Sequence, residues 1–203
     1  MQLGTHLYYI FRNRIRFRRL GIVFGRNLKV FNRLFIKMAP NASIKIGDNF
    51  TFTTGAGYNP ISSNTLGYIR ADTGAFLTIG DNCGMSSTTI WVKESLTIGN
   101  HVLIGASCLI MDTDCHSLDW QLRGTRGGVD ENGCSIDSIN AKSAPIIIED
   151  DVLIGARSIV LKGVTIGARS VIGAGSVVTH SIPSDCIAAG NPCTFIKQLN
   201  KND

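Results

Sequence analysis

The run "IEDDVLIGARSIVLKGVTIGARSVIGAGSVVTHSIP", residues 148–183, carries Ile148, Ile154, Val160, Ile166, Ile172 and Val178 at an unbroken six-residue interval. That interval matches neither the 3.6-residue period of a helix nor the two-residue alternation of a simple strand. Four residues after each of the first five comes a small or β-branched side chain (Val152, Ser158, Val164, Ser170, Ser176). Gly155, Gly167 and Gly173 directly follow an aliphatic, where glycine can take positive φ. Each hexad reads as a short strand plus a corner. Three hexads then close a triangular coil, and coils stack as parallel strands about 4.8 Å apart around an inner column of aliphatics. No coil buries its own apolar face, so stability has to come from its neighbours.

The rest of the composition agrees with such a solenoid. The 203 residues are 44% hydrophobic and 17% charged, with 22 glycines, which excludes a disordered chain and suits a turn-rich β architecture. A net charge of +5 and a pI near 9.0 suit acidic partners, a phosphorylated cofactor or an anionic lipid surface; no nucleic-acid partner is expected. The six cysteines include no C-x-x-C pair and no zinc-like pattern with the four histidines, so no metal is expected. Cys83 and Cys108 each follow an apolar hexad head by four residues and read as small core side chains. Reduced thiols, no secretion signal and no apolar run near the roughly 20 residues of a membrane span point to the cytoplasm.

Residues 1–21 form a basic amphipathic arm in which Leu7, Tyr8, Tyr9, Ile10, Phe11, Ile15, Phe17 and Leu20 alternate with Arg12, Arg14, Arg16, Arg18 and Arg19. Its charges follow the apolar part, opposite to a signal peptide. Such an arm either caps the end of the solenoid or lies peripherally on an anionic membrane. The solenoid itself is expected over 22–183, with a weak phase through Ile22, Leu28, Leu34, Pro40, Ile46 and Phe52, a loop at 53–75, and a resumed phase through Ile79, Met85 and Trp91, which places Trp91 in the core. After a one-residue slip it continues through Ile98, Ile104 and Ile110. Residues 184–203 are expected as a tail packed on the solenoid.

Six residues after Ile110 the phase demands an aliphatic, and the chain supplies His116 within "MDTDCHSLD". From 117 to 144 the repeat gives way to a polar loop containing Arg123, and Pro145 opens the return. A titratable residue at the mouth of a long excursion is a catalytic candidate, because local rules fail most often at functional sites. Imidazole suits a general base at neutral pH, and Asp114 or Asp112 is available to hold its other nitrogen. His101 reads as an inert corner residue, and the adjacent Cys115 offers a nucleophilic alternative that lacks a thiolate-generating geometry.

The hexad tract, "DTDCHSLD" before a loop and "AAGNPC" near the end together resemble the hexapeptide-repeat acyltransferases, nearest the maltose, galactoside and surface-polysaccharide O-acetyltransferases. The resemblance covers most of residues 76–197. It implies an all-β, left-handed parallel β-helix, the handedness resting on the resemblance alone. It further implies a homotrimer that moves an acetyl group from acetyl-CoA to a hydroxyl of a sugar or polysaccharide precursor, with His116 as general base. Transfer to the amine of a nucleotide-linked sugar is the alternative. The implied cofactor positions are Gly155, Ala156, Ala174, Thr179, His180 and Lys197, with His180 and Thr194 departing from the usual basic pattern. Ser86 and Ser87 are implied to bond the sugar, and Arg123 in the loop is a further candidate. A metal-dependent carbonic anhydrase on the same scaffold would need three histidines, and His101, His116 and His180 lack the spacing.

Overall fold

The computed structural model describes residues 3–55, 57–62, 65–131 and 133–200. Short strands fall in turn on three faces, and each strand pairs with the one three places on until the last coil, where face one keeps only the bridge Ile166–Ile182, so the chain winds into a triangular prism. Face one stacks Val23–Phe24, Ser43–Ile46, Phe76–Ile79, Ser95–Ile98, Ile146–Ile148 and Thr165–Ile166. Face two begins with Lys29–Phe31, Thr51–Thr53, Gly84–Ser86 and Leu103–Ile104 and continues through Leu153–Ile154, Val171–Ile172 and Cys186–Ala189. Face three carries Phe35–Met38, Tyr68–Ala71, Thr89–Val92, Leu109–Met111, Ile159–Val160 and Val177–Val178. All these pairs are parallel, and a final strand, Thr194–Gln198, returns antiparallel on Cys186–Ala189.

Register explains the six-residue beat. Ile98 pairs with Ile148 and Ile148 with Ile166; Ile104, Ile154 and Ile172 align likewise, as do Ile110, Val160 and Val178. Each of these side chains is at most 3% exposed, so like stacks on like along the whole interior. Ser158, Ser170 and Ser176 point inward as well, and each hydroxyl donates to the carbonyl of a glycine three residues back.

The glycines after the aliphatics serve a different purpose from the one expected. Gly155, Gly167 and Gly173 do not have positive φ; it occurs two residues later, at Arg157, Arg169 and Gly175. What Gly155 lacks is room, since a Cβ there would sit 2.4 Å from the Ala174 backbone nitrogen of the next coil. The edge between faces one and two turns on left-handed Asn27, Asn49, Asn82, His101, Asp151, Arg169 and Asp185. Asn27, Asn49, Asn82 and His101 are linked by side-chain hydrogen bonds from coil to coil, so His101 is part of that ladder.

Three expectations need correction. Residues 53–75 are only partly a loop: the excursion covers 54–67, and Tyr68–Ala71 is a strand of face three paired on both sides. Trp91 is not in the core, because the corner after Met85 is one residue short and Ile90 takes the inward position, paired with Ile69 and Ile110. Trp91 lies outside under the Arg70 guanidinium and donates to Asp72. Pro40 is exposed at a corner, where the column is continued by Ile36 and Ile44.

The arm is an α-helix, α1 (Leu3–Arg19), an exception to the all-β expectation. It lies across the open end of the first coil, whose edge carbonyls have no further coil to bond. Buried Asn13 donates to Val30 and Asn32, Arg14 to Leu28, and Arg16 to Leu34 and Ile36. Phe17, fully buried, closes the aliphatic column and meets Phe24 edge to face. Of the expected arm and tail, residues 1–2 and 201–203 lie outside the described residues.

The register makes a direct prediction. Ile172→Ala, facing inward, should cost about 2–5 kcal/mol, whereas Leu153→Ala, 44% exposed on the outer side of the neighbouring strand, should cost under about 1 kcal/mol in chemical denaturation.

Candidate active site at the coil break

After Leu109–Met111 the chain leaves the prism at the edge between faces three and one, and it returns at Ile146 in register with Leu96. The excursion is tied to the coils at several points. The buried carboxylate of Asp112 accepts from the backbone N–H groups of Lys93 and Glu94, and burial raises its pKa. Lys93 Nζ donates to the carbonyls of Ser138, Ile139 and Ala141 around α2 (Ile136–Asn140). Ser143 donates to Glu94, and Thr113 bridges Ser143 across the base.

Within this frame, His116 Nδ1 lies 2.7 Å from Oδ2 of Asp137. The Asp137 side chain is 4% exposed and that of His116 is 68% exposed, so the carboxylate lies behind the ring. Asp137 also accepts from Ser117 N at 2.6 Å and Gly124 N at 2.9 Å. The bond to His116 and these two amides hold its carboxyl down to about 2. An ionised carboxylate at Nδ1 favours the tautomer with the proton there, leaving the Nε2 lone pair on the open side. Among the described residues Nε2 has no partner.

The structure relocates several expected residues. Asp114 does not reach His116; its Oδ1 accepts from Lys162 of the next coil at 2.7 Å, and Asp112 is occupied as described. The contact expected of Asp114 or Asp112 is made instead by Asp137, which lies 21 residues along the chain from His116. Ser87 cannot reach a sugar, being fully buried with its hydroxyl accepting from Gly55 N. Ser86 lies on the outer side of face two, bonded to Thr53 at 2.7 Å, in a shallow groove lined also by Leu103, Gly105 and Leu153. Arg123 turns back on the loop and donates to the carbonyls of Ser117 and Leu118, bracing the segment that holds His116. Cys115 is no thiolate, since burial pushes its thiol up.

The remaining candidates lie on two edges flanking face three. Gly155, Ala156 and Ala174 stack on one, with Gly105 above them. Thr179 and His180 lie on the other, hydrogen-bonded to each other at 2.9 Å, two coils along the edge from which the His116 segment departs. Lys197 sits on the terminal strand of face two, paired with Ile187, away from both edges. Among the described residues no three His, Cys, Asp or Glu side chains gather as a metal site.

The family model described as the hexapeptide repeat of succinyl-transferase matches residues 145–180. Galactoside O-acetyltransferase of Lactococcus lactis is 42% identical over 150 residues, spanning 63% of this chain and 66% of its own. That of Escherichia coli is 37% identical over 115 residues, 57% of this chain and 50% of its own. The chain belongs to the hexapeptide-repeat acyltransferases. It spans between half and two thirds of the length of these curated relatives. Among solved members of the fold, the polySia-specific acetyltransferase NeuO is 27% identical, with a TM-score of 0.54 over 87% of this chain and 81% of its own. The N-acyltransferase AntD from Bacillus cereus superimposes with a TM-score of 0.67 over 93% of this chain and 90% of its own at 18% identity, a likeness of fold. The prism is thus the left-handed parallel β-helix of this family, with a helical cap and a loop inserted at one corner.

Because the Asp137 pKa is lowered on folding, its contribution to stability is complete above about pH 4 and is lost as pH falls toward 2. Hydrogen-exchange protection of the Ser117 and Gly124 amides, which donate to it, should hold above pH 4 and collapse below, and Asp137→Asn should abolish that dependence.

Proposed function

We propose that the protein is an acetyl-CoA-dependent O-acetyltransferase acting on a hydroxyl of a sugar or polysaccharide precursor, with His116 as general base and Asp137 as its orienting carboxylate. The observation that carries the reading is the 2.7 Å contact between His116 Nδ1 and buried Asp137, which presents Nε2 outward at the corner where the coil stack opens into the longer of its two excursions. In the proposed step Nε2 takes the hydroxyl proton as the oxygen attacks the thioester carbonyl. The C–S bond then breaks, and the imidazolium returns the proton to the thiolate. No covalent enzyme intermediate is needed.

The family and its galactoside O-acetyltransferase members support both the donor and the acceptor class. The edge that carries Ala156 and Ala174 presents only short side chains, which suits an extended thioester arm lying along it, while Gly105 and Gly155 are needed there for the close approach of successive coils. Thr179 and His180, on the edge that leads to His116, would face the same ligand. The groove is completed by a second prism, as in a homotrimer, and the enzyme works in the cytoplasm, where acetyl-CoA is available. The second reading is transfer to an amine of a nucleotide-linked amino sugar.

Thiol release from acetyl-CoA in the presence of a panel of sugars and amino sugars tests this. Turnover is expected with a hydroxyl acceptor. His116→Ala should lower it about 10²–10⁴-fold with unchanged thermal unfolding of the prism, and Asp137→Asn about 10–100-fold. Undiminished turnover in His116→Ala would remove the histidine from its role, and release with amine acceptors alone would favour the second reading. Solution mass should report three chains.

A further inference from the structure

Charge is distributed very unevenly along this chain. All fifteen acidic residues lie at or after Asp48, while ten of the twenty Lys and Arg residues precede it. The structure gathers much of that excess at one end of the prism. The inner side of α1 is consumed by capping through Asn13, Arg14, Arg16 and Phe17. Its outer side is not needed for the cap, yet it carries large apolar side chains: Leu7 is 60% exposed, Tyr8 59% and Phe11 68%. Tyr8, Phe11 and Ile15 follow one another at helical spacing on this side and, with Arg12, Arg16 and Arg19, line a shallow groove. Arg12 and Arg19 are exposed around them, whereas Arg18 turns to the coils and lies over the Phe24 ring.

We propose that this outer face of α1 docks the end of the prism on an anionic lipid bilayer, with Tyr8, Phe11 and Ile15 entering the headgroup–acyl boundary and Arg12 and Arg19 on the phosphates. Two observations select this occupant. The exposed charges of the patch are Arg12 and Arg19, α1 carries no acidic residue, and Asp48 lies on the coil side of the helix paired with Arg26, so the outer face complements an anionic surface. It also has a contiguous aromatic and aliphatic strip between the arginines, which a purely ionic polymer would leave in water. The geometry suits a plane: α1 lies across the base of the solenoid, and its outer side faces away from the coils. No helix among the described residues is long and apolar enough to cross a membrane, so the contact is interfacial. This inference does not depend on the acyl-transfer reading, since none of these side chains belongs to the candidate active site.

The full-length protein is sedimented with vesicles of phosphatidylcholine alone and with vesicles of equal parts phosphatidylcholine and phosphatidylglycerol. Binding is expected to the anionic vesicles only and should weaken as salt rises. Arg12→Glu combined with Arg19→Glu should weaken it by at least about 25-fold, at about five-fold per arginine lost. Phe11→Ser should weaken it at unchanged net charge. Neither variant touches a capping contact, so thermal unfolding should stay at the parent value and certify the fold. Equal binding to neutral vesicles, undiminished binding by the variants or no binding at all would overturn the proposal. A drop in solution mass with Phe11→Ser would also overturn it, because a second copy of the chain would then be covering the face.

Discussion

A coil of this prism can hide its aliphatics only beneath another coil in the same register, and that requirement shapes everything else in the molecule. Ile98, Ile148 and Ile166 superpose because a one-residue displacement on any face would turn the inward set outward. Departures from the beat are therefore confined to corners, where the backbone can leave and rejoin without shifting a strand. Both excursions obey this rule. The first leaves after Thr51–Thr53 and rejoins at Tyr68, and the second leaves after Met111 and rejoins at Ile146. Parallel stacking also leaves an unpaired edge at each end of the prism. α1 closes one with side-chain donors, and the antiparallel return of Thr194–Gln198 covers part of the other.

A loop attached at a corner is a poor place to hold a reacting group unless something rigid reaches out to it. Here the coils do so through charge. Asp112 receives two backbone amides of the preceding turn, Lys93 grips three carbonyls around α2, and Lys162 of the following coil holds Asp114. Those contacts fix α2, α2 carries Asp137, and Asp137 fixes His116. The imidazole thus inherits the rigidity of the prism although the chain around it is irregular, and the buried carboxylate determines which ring nitrogen faces outward.

The repeat made most of the prism legible, because an inward aliphatic every sixth residue reports the column directly. It failed where a corner changed length: Trp91 fell on the expected beat only because the turn after Met85 is one residue short, and Ile90 is the side chain that enters the core. Tyr68–Ala71 was hidden among loop-like residues because its pairing with Phe35–Met38 and Thr89–Val92 is a long-range fact. At the site, His116 was visible as a polar residue on an apolar beat. Asp137 was not, since only the closed loop brings it to the ring, and nearness in sequence pointed to Asp114 and Asp112, which serve the scaffold. Ser87 and Arg123 have the chemistry of ligand contacts, but the fold uses both to pin loops.

The buried Asp137 carboxylate behind the ring favours a His116 imidazole with the proton on Nδ1 and Nε2 facing the open side. Long-range ¹H–¹⁵N correlation of the His116 ring at neutral pH measures this directly. A protonated Nδ1, a bare Nε2 and loss of that preference in Asp137→Asn are expected. A ring with the proton on Nε2, or one whose spectrum ignores the substitution, would contradict that arrangement.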